Sequence, residues 1–308
     1  MKFIKQAITS FYSTNLTDDF DDYDSSKVYT LETDETALTN DSVCKYGNYY
    51  YRSLVDNNAG NIPTEHINKK WVKWGVSNKY AMIDLKSTSS SKKDDDIVVE
   101  FTKGAIDSIA IGYFQSELII LEHIASDGTV LSEYTKYYHF SFNDNVVDYY
   151  SFTYSEYTDS VKRAVYIPII NVGNRLRVTI TKSSTTNSAN VGFLVGGEGK
   201  FMGKSLYGVS FGFNSFSVKN TDEFGSFDII KRGVQETVDF ETIIDTTSSQ
   251  FVKMDVKKIY DDVVAFIVDE SADSKLDNIV TFGTIENLSI AVQNPTKTTL
   301  SWSVVESI

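Results

Sequence analysis

Short runs of alternating apolar and polar residues recur through the middle of this chain, and they constrain its fold more than any other feature. About eight such runs lie between residues 97 and 196, separated by turn sequences such as Ser126-Asp127-Gly128 and Val172-Gly173-Asn174. Successive side chains of a β-strand point to opposite faces of the sheet, so this alternation is typical of half-buried strands. The pattern predicts a β-sandwich, and the long polar loops favour a jelly-roll-like or galactose-binding-like arrangement.

The length of the chain indicates more than one domain. With 308 residues it exceeds what one hydrophobic core usually serves, and its 19 tyrosines and 19 phenylalanines suit the half-buried surfaces of strands. We therefore predict a mainly-β protein with three units. Residues 1–84 form an N-terminal arm and a small β module, residues 85–205 form the β-sandwich, and residues 206–308 form a β-rich α+β domain with one helix.

The start of the chain is polar and contains an acidic run over residues 18–24. Carboxylates are ligands that calcium prefers, but the alternating ligands and the central glycine of an EF-hand loop are absent. A solvated arm, open to ordering by a partner, is the favoured interpretation. The arm leads to a predicted β-hairpin over residues 43–54 with a turn at Gly47-Asn48. Further on, the polar segment 86–96 is predicted to be an exposed loop.

The spacing of apolar residues changes in the C-terminal part of the sequence. Apolar residues between positions 250 and 261 recur at helical spacing, and Ser249 precedes them as a candidate N-cap. Strand patterns flank this segment, including separate predicted strands at residues 279–284 and 288–292. The sequence therefore predicts a β-sheet with one packed helix.

Charge and cysteine content narrow the class of function. The formal net charge of −13 argues against nucleic-acid binding, because phosphate neutralisation needs lysine and arginine concentrated on one face. The single cysteine, Cys44, cannot form an internal disulfide, and its strand-like surroundings favour a buried thiol. No run is long and apolar enough for a transmembrane helix, and we read no signal peptide. We therefore expect synthesis in a cytoplasm and no membrane insertion.

No motif in the sequence predicts catalysis, a cofactor or a metal. The run Glu198–Ser205 ends like a phosphate-binding loop, but Glu198 stands where that loop needs glycine, and a strand pattern follows instead of a helix. His66, His123 and His139 lack metal-pair spacing, and the last two lie in apolar strands where structural histidines are usual. A glycosidase pair of carboxylates stays open, because sequence does not reveal their separation.

Sugar binding is the remaining candidate chemistry, since aromatic faces stack on sugar rings while amides read hydroxyl groups. The candidate glycan or interface contacts are Asn57, Asn58, Asn61, Trp71, Trp74 and Tyr80. The competing interpretation is that the tryptophans pack between the small module and the sandwich, because large aromatic side chains mostly serve cores. A spacing of three does not place Trp71 and Trp74 on one strand face, so either one is buried or a bulge intervenes.

Two motifs carry a resemblance to a known family. They are Tyr51-Arg52-Ser53-Leu54-Val55-Asp56-Asn57-Asn58-x-Gly60-Asn61-x-Pro63 and Trp71-x-x-Trp74-Gly75-x-Ser77-Asn78-Lys79-Tyr80-Ala81-Met82-Ile83-Asp84. The chain resembles a family of tailed-bacteriophage virion structural proteins with a carbohydrate-binding-like region. The first motif is similar to small β modules of the chitin-binding type. Looser similarity continues at residues 106–110, 194–197 and 207–210, and Trp74 departs from the family pattern, which has an aliphatic residue there.

The resemblance implies a non-enzymatic structural component of a tail, baseplate, collar or fibre-attachment apparatus. Its partners would be other virion proteins, and it would occur in multiple copies in a symmetric assembly. Contact of the sandwich with host-surface glycans is an open extension of this role. One alternative is a carbohydrate-binding adhesin for host recognition. A glycan depolymerase is a third alternative, which the lack of any fixed-period sequence repeat disfavours.

Overall fold

A computed structural model gives the fold of residues 1–140, 164–183, 187–221, 227–268, 279–292 and 295–307. The described chain is mainly β and contains one α-helix, in agreement with the predicted fold class. A strand expected near residues 149–157 lies outside the described residues.

Strands of the first half of the chain are short. In order they are β1 (Lys2–Ile4), β2 (Ser13–Thr14), β3 (Val43–Tyr46), β4 (Tyr49–Ser53), β5 (Trp71–Val76), β6 (Ser91–Lys93), β7 (Ile97–Thr102), β8 (Ser108–Gln115), β9 (Leu118–Ile124) and β10 (Lys136–His139). Single turns of 3₁₀-helix cover Ala81–Ile83 and Ser132–Tyr134.

Longer strands appear toward the C-terminus. In order the second half contains β11 (Ala164–Pro168), β12 (Arg175–Ile180), β13 (Ala189–Gly197), β14 (Gly199–Phe201), β15 (Lys204–Ser205), β16 (Ser210–Ser215), β17 (Val218–Thr221), β18 (Phe227–Ile230), β19 (Val234–Asp245), β20 (Val264–Ile267), β21 (Val280–Val292) and β22 (Lys297–Glu306). A 3₁₀ turn at Thr246–Ser248 leads into the helix α1 (Ser249–Lys257).

Two antiparallel sheets form the predicted sandwich. One has the strand order β10-β9-β12-β7-β2, and the other has the order β11-β8-β13-β6. Alternate side chains of both sheets meet in one core, with Val99 and Val178 from the first sheet and Ile109 and Leu194 from the second. The period of two in the sequence places these side chains on the inner faces, which is why the alternation predicted this unit correctly.

A small three-stranded sheet with the order β3-β4-β5 forms the N-terminal module. The predicted hairpin is present, with Gly47 at φ +63° in the turn between β3 and β4. Its core consists of Tyr29, Cys44, Tyr51 and Trp71. Aromatic side chains thus supply most of the buried surface in a unit too small for a large aliphatic core.

The largest sheet closes into a barrel. Its order is β14-β1-β20-β21-β22-β19-β15, with β16 also paired to β19. Only Met202 and Gly203 separate β14 from β15, so one continuous segment supplies both end strands of the sheet. Gly203 has φ +110°, and its carbonyl oxygen accepts a hydrogen bond of 2.8 Å from the Met1 ammonium. The interior includes Phe3, Trp302 and, from α1, Val252.

The barrel packs against the outer face of the β11-β8-β13-β6 sheet. Ala110 and Phe193 of that sheet share a core with Ile4 and Phe282 of the barrel wall. The rings of Phe193 and Phe282 are stacked at 4.9 Å. This sheet is therefore buried on both faces, which explains why β8 and β13 are apolar along nearly their whole length.

The prediction of a solvated N-terminal arm is wrong for the first residues. The strand β1 lies inside the barrel sheet between β14 and β20, and Phe3, Ile8 and Leu16 are buried. Such a strand is too short to show a periodic pattern, and its partners lie about 200 or more residues away along the chain, beyond the reach of local sequence patterns. The first residues therefore belong to the barrel and the sandwich.

Three local predictions also need correction. The segment 86–96 is not entirely an exposed loop, because β6 pairs with β13 and Ser91 is fully buried. The two strands predicted at residues 279–284 and 288–292 form one strand, β21, whose register shifts at a bulge between Ile285 and Asn287. Ser249 begins α1 but follows the N-cap, Ser248, and its hydroxyl donates to the carbonyl of Thr246.

The contact between the barrel and the sandwich generates a stability prediction at Gly197. A Cβ atom at this position would lie 2.1 Å from the backbone oxygen of Lys5. We expect Gly197→Ala to lower the free energy of unfolding by about 1–3 kcal/mol, because the N-terminal strand must shift to relieve the overlap. The matched control is Gly75→Ala, where no atom lies within 4 Å of the added carbon. Equal thermal unfolding of the two variants would contradict the close approach.

Candidate interaction surfaces

Trp74 stands at a bulge in the N-terminal module. The adjacent β4 residues Tyr50 and Tyr51 lie opposite Gly75 and Lys73, so the register skips Trp74. Such an extra residue bends its strand and re-aims the side chain. The Trp74 side chain is 42% exposed, which makes it the one tryptophan of this module with a solvent-facing ring.

Trp71, by contrast, is a core residue with no exposed surface. Its ring contacts Tyr29 edge-on at 5.0 Å and Tyr23 at 6.1 Å, and its indole nitrogen donates to the carbonyl oxygen of Asn61 at 2.8 Å. The spacing of the tryptophans allowed either one buried ring or a bulge. Both occur, because Trp71 is buried and the bulge turns Trp74 outward.

The asparagines of the polar loop mainly hold the loop together. Asn58 is buried, and its amide nitrogen donates to the Ser53 hydroxyl at 2.9 Å and to the Lys70 carbonyl at 3.1 Å. Its amide oxygen accepts a hydrogen bond of 2.8 Å from Asn61, whose own oxygen accepts one of 2.9 Å from Lys70. Asn57 is exposed and has φ +54°, a turn conformation that asparagine tolerates.

The six predicted contact residues therefore do not form one exposed surface. The structure brings Asn58, Asn61 and Trp71 together, but inside the module. Tyr80 is half-buried and stacks on Phe11 at 6.1 Å. Of the six residues, only Asn57 and Trp74 are exposed to solvent.

The acidic run is docked onto the module through Asp18. This side chain is 6% exposed, and its carboxylate lies 2.8 Å from the Lys45 ammonium and 3.7 Å from that of Lys79. The Lys79 backbone N–H also donates to it at 3.1 Å. Further along the run, Tyr23 stacks on Tyr29 at 5.9 Å. The sequence signal for this docking was the aromatic residues placed among the aspartates.

The histidines and the predicted phosphate-loop-like run have structural surroundings in the described part of the chain. No group of three or more His, Cys, Asp or Glu side chains there could hold a metal ion. His123 is a buried structural residue whose Nδ1 lies 3.0 Å from the Val172 carbonyl, and burial lowers its pKa. His139 lies in a strand, β10, as predicted, but its side chain is exposed, so the prediction of a structural histidine there is wrong. The run Glu198–Ser205 forms β14 and β15 and opens no helix.

A β-hairpin that extends from the barrel displays many apolar side chains. We call it the hairpin arm, and it comprises β16, β17, β18 and the start of β19. Its lower part pairs β16 with β19, and beyond that β17 pairs with β18 and with no other strand among the described residues. Its exposed apolar residues are Phe211, Phe213, Phe216, Ile229, Ile230 and Val234. The alternating pattern does not reveal this surface, because it predicts a strand but not whether another element covers that strand.

A groove of about 480 Å³ provides a further apolar surface on the barrel. It lies between the β14–β15 segment and α1, and the exposed rings of Phe201 and Phe251 both line it. Apolar surface on the outside of the barrel is therefore not confined to the hairpin arm.

The two tryptophans of the module should differ sharply in their effect on stability. We expect Trp71→Ala to cost about 3–5 kcal/mol, because it removes a fully buried ring from an aromatic core. Trp74→Ala serves as the matched control and should cost about 1 kcal/mol or less. Urea unfolding followed by circular dichroism measures both, and equal losses would contradict the assigned burial.

The thiol of Cys44 provides a second test of the module core. Burial raises its pKa to about 12, so very little thiolate exists near neutral pH in the folded state. We expect native protein to resist alkylation at neutral pH and to react at the rate of an ordinary thiol once unfolded in urea. Rapid labelling of the native chain would show that Cys44 is accessible.

Comparison with protein-family models, with curated proteins and with solved structures finds no match to this chain. Within the described residues, no helix has the length and apolar character needed to cross a membrane.

Proposed function

We propose that this chain is a non-enzymatic structural component of a tailed-phage virion that acts by protein–protein docking. The resemblance in the sequence suggests a tail, baseplate, collar or fibre-attachment apparatus. The observation that carries the docking role is the hairpin arm, whose apolar side chains face solvent on an isolated chain.

Two physical arguments support docking through the hairpin arm. Large apolar side chains that are exposed together on one element of a soluble protein are a common mark of an interaction site. A two-stranded hairpin is also marginally stable by itself in water, and beyond β16 the structure describes pairing between β17 and β18 alone. A protein partner that covers the arm would bury the phenylalanines and stabilise the hairpin together.

The charge of the chain restricts the partner. A net charge of −13 keeps the free protein soluble and disfavours non-specific association with other acidic surfaces. Within the hairpin arm, however, Lys231 and Arg232 are exposed beside Ile229 and Ile230. The arm therefore combines apolar contact area with local positive charge, which suits docking onto another protein.

Location in the particle is the first test. Mass spectrometry of purified phage particles should find the chain at a fixed stoichiometry, and a cryo-EM map should then place it in the tail, baseplate, collar or fibre attachment. Absence of the chain from purified particles would overturn the virion role.

Substitutions in the hairpin arm test whether that surface makes the contact. We expect Phe213→Ser together with Phe216→Ser to reduce incorporation into particles at least tenfold, because about 1.4 kcal/mol of lost contact energy suffices for that change. Tyr137→Ser is the matched control, since Tyr137 is exposed to a similar extent on the sandwich. Incorporation of the arm variant at the wild-type level would exclude the arm as the docking element, provided circular dichroism shows both variants folded.

Glycan binding is a second candidate because one exposed ring is rigidly held. Trp74 contacts Phe20 edge-on at 5.8 Å and Tyr50 at 6.4 Å, so its outward face is fixed in position. A fixed aromatic face is a natural stacking platform for a sugar. On a glycan array, binding by the wild-type chain that is lost in Trp74→Ala would favour a host-recognition adhesin. Binding unchanged by this substitution would exclude Trp74 as the platform.

A further inference from the structure

Two strand edges of the barrel sheet lack a neighbour among the described residues. β20 pairs with β21 only from Val280 to Gly283, and no described strand continues on that side as far as Val292. The Tyr260 hydroxyl reaches the Glu286 carbonyl at 3.4 Å near the start of this stretch. On the opposite side of the same sheet, β16 pairs with β19 and has no described strand on its other edge.

Both open edges are free of charged residues. The segment Asn287–Val292 contains none, and neither does Ser210–Ser215. Natural proteins usually protect a solvent-exposed edge with lysine, proline or a bulge, since its unpaired N–H and C=O groups can template another strand. The bulge in β21 lies before Asn287 and leaves the remaining edge regular. The sequences of both edges therefore suit pairing with another strand better than exposure to solvent.

The side chains along the two edges also match. Phe211 lies opposite Val238, and Ile290 lies opposite Leu300, where Val238 and Leu300 both point into the barrel core. Phe211, Phe213, Ile290 and Val292 are therefore on the same face of the sheet. Phe213 is 71% exposed and Val292 is 63% exposed. Joining the edges would place these apolar side chains in one continuous row.

Strand direction fits a repeat of identical copies. The four strands β21-β22-β19-β16 are successively antiparallel, so β21 and β16 run in opposite directions. A second copy placed beside the first in the same orientation brings its β21 antiparallel to β16 of the first. Ser210 at the start of β16 lies level with Asn287 of β21, with Asp239 and Ser303 between them. Because β16 and β21 run in opposite directions from this level, the two open edges are offset along the strand direction. The joined strands would therefore be tilted, as strands in a closed ring must be.

We propose that copies of this chain associate head to tail, with β16 of one copy added to the open β21 edge of the next. Because the two contact surfaces differ, the contact is heterologous, and a suitable rotation closes it into a ring. The proposal rests on the docking function proposed above and names a second copy as the partner.

Electrostatics provides a signature of this partner. Copies that each carry a net charge of −13 repel one another, and the repulsion is least harmful where the contacting edges are uncharged. Added salt screens this repulsion, so self-association should strengthen as salt rises. Docking of the acidic chain onto a basic protein would weaken with salt instead.

Analytical ultracentrifugation of the purified full chain, at low and high salt and over a concentration series, is the first measurement. We expect a discrete oligomer larger than a dimer whose population increases with salt. A wild-type chain that stays monomeric at the highest salt and concentration overturns the proposal. Chain found in particles but monomeric in solution would exclude only the ring, whereas rings formed by a chain absent from particles would exclude only the virion role.

Two single variants separate head-to-tail pairing from a two-fold contact. Phe213→Lys blocks one edge and Val292→Lys blocks the other, so each variant alone should be monomeric. An equimolar mixture should form dimers and stop there, because one compatible pair of edges remains. Dimers formed by Phe213→Lys alone would show a symmetric β21–β21 contact and contradict the proposal. Tyr137→Lys is the control that keeps wild-type association, and circular dichroism confirms the fold of each variant.

Discussion

The pairing of β1 between β14 and β20 is the interaction on which the rest of the structure depends. This short strand connects β20 to β14. The segment that contains β14 also contains β15, the strand at the other end of the sheet. Ile4 faces the sandwich while Phe3 faces the barrel interior, so three residues contribute to two cores. Without β1 the barrel would open at β14, and the N-terminal hydrogen bond to Gly203 would be lost.

Burial of the middle sheet on both faces explains the arrangement of the surfaces. The β11-β8-β13-β6 sheet lies between the other sandwich sheet and the barrel wall, so most side chains of β8 and β13 are buried in one of two cores. Exposed apolar and aromatic side chains lie instead on the N-terminal module, on the other sandwich sheet, as at Tyr137, and on the outer side of the barrel. In the module, most aromatic rings are used in its own core. On the barrel, the phenylalanines of the hairpin arm have no such use, and they carry the proposed docking role.

Local patterns predicted much of the fold, but they could not predict which faces remain uncovered. Alternation identified the sandwich strands and helical spacing identified α1, because both signals come from neighbouring residues. The place of β1 depends on partners at the far end of the chain, and no local signal encodes that pairing. In the candidate site, the buried state of Trp71 and the outward turn of Trp74 depend on a bulge that the sequence allowed but did not specify. The resemblance to phage virion proteins remains a prediction about function.

The wide separation of the barrel strands along the chain has a consequence for folding. The barrel combines a strand from the start of the chain, a segment near residue 200 and strands that end at Glu306. Pairing of such distant segments is slow, because a large loop-closure entropy must be overcome before the contacts form. During synthesis the sandwich strands emerge first, whereas the barrel has to wait for β22. Formation of the β16 and β21 edges is thereby postponed until β22 has been translated, which delays self-association of nascent chains on neighbouring ribosomes.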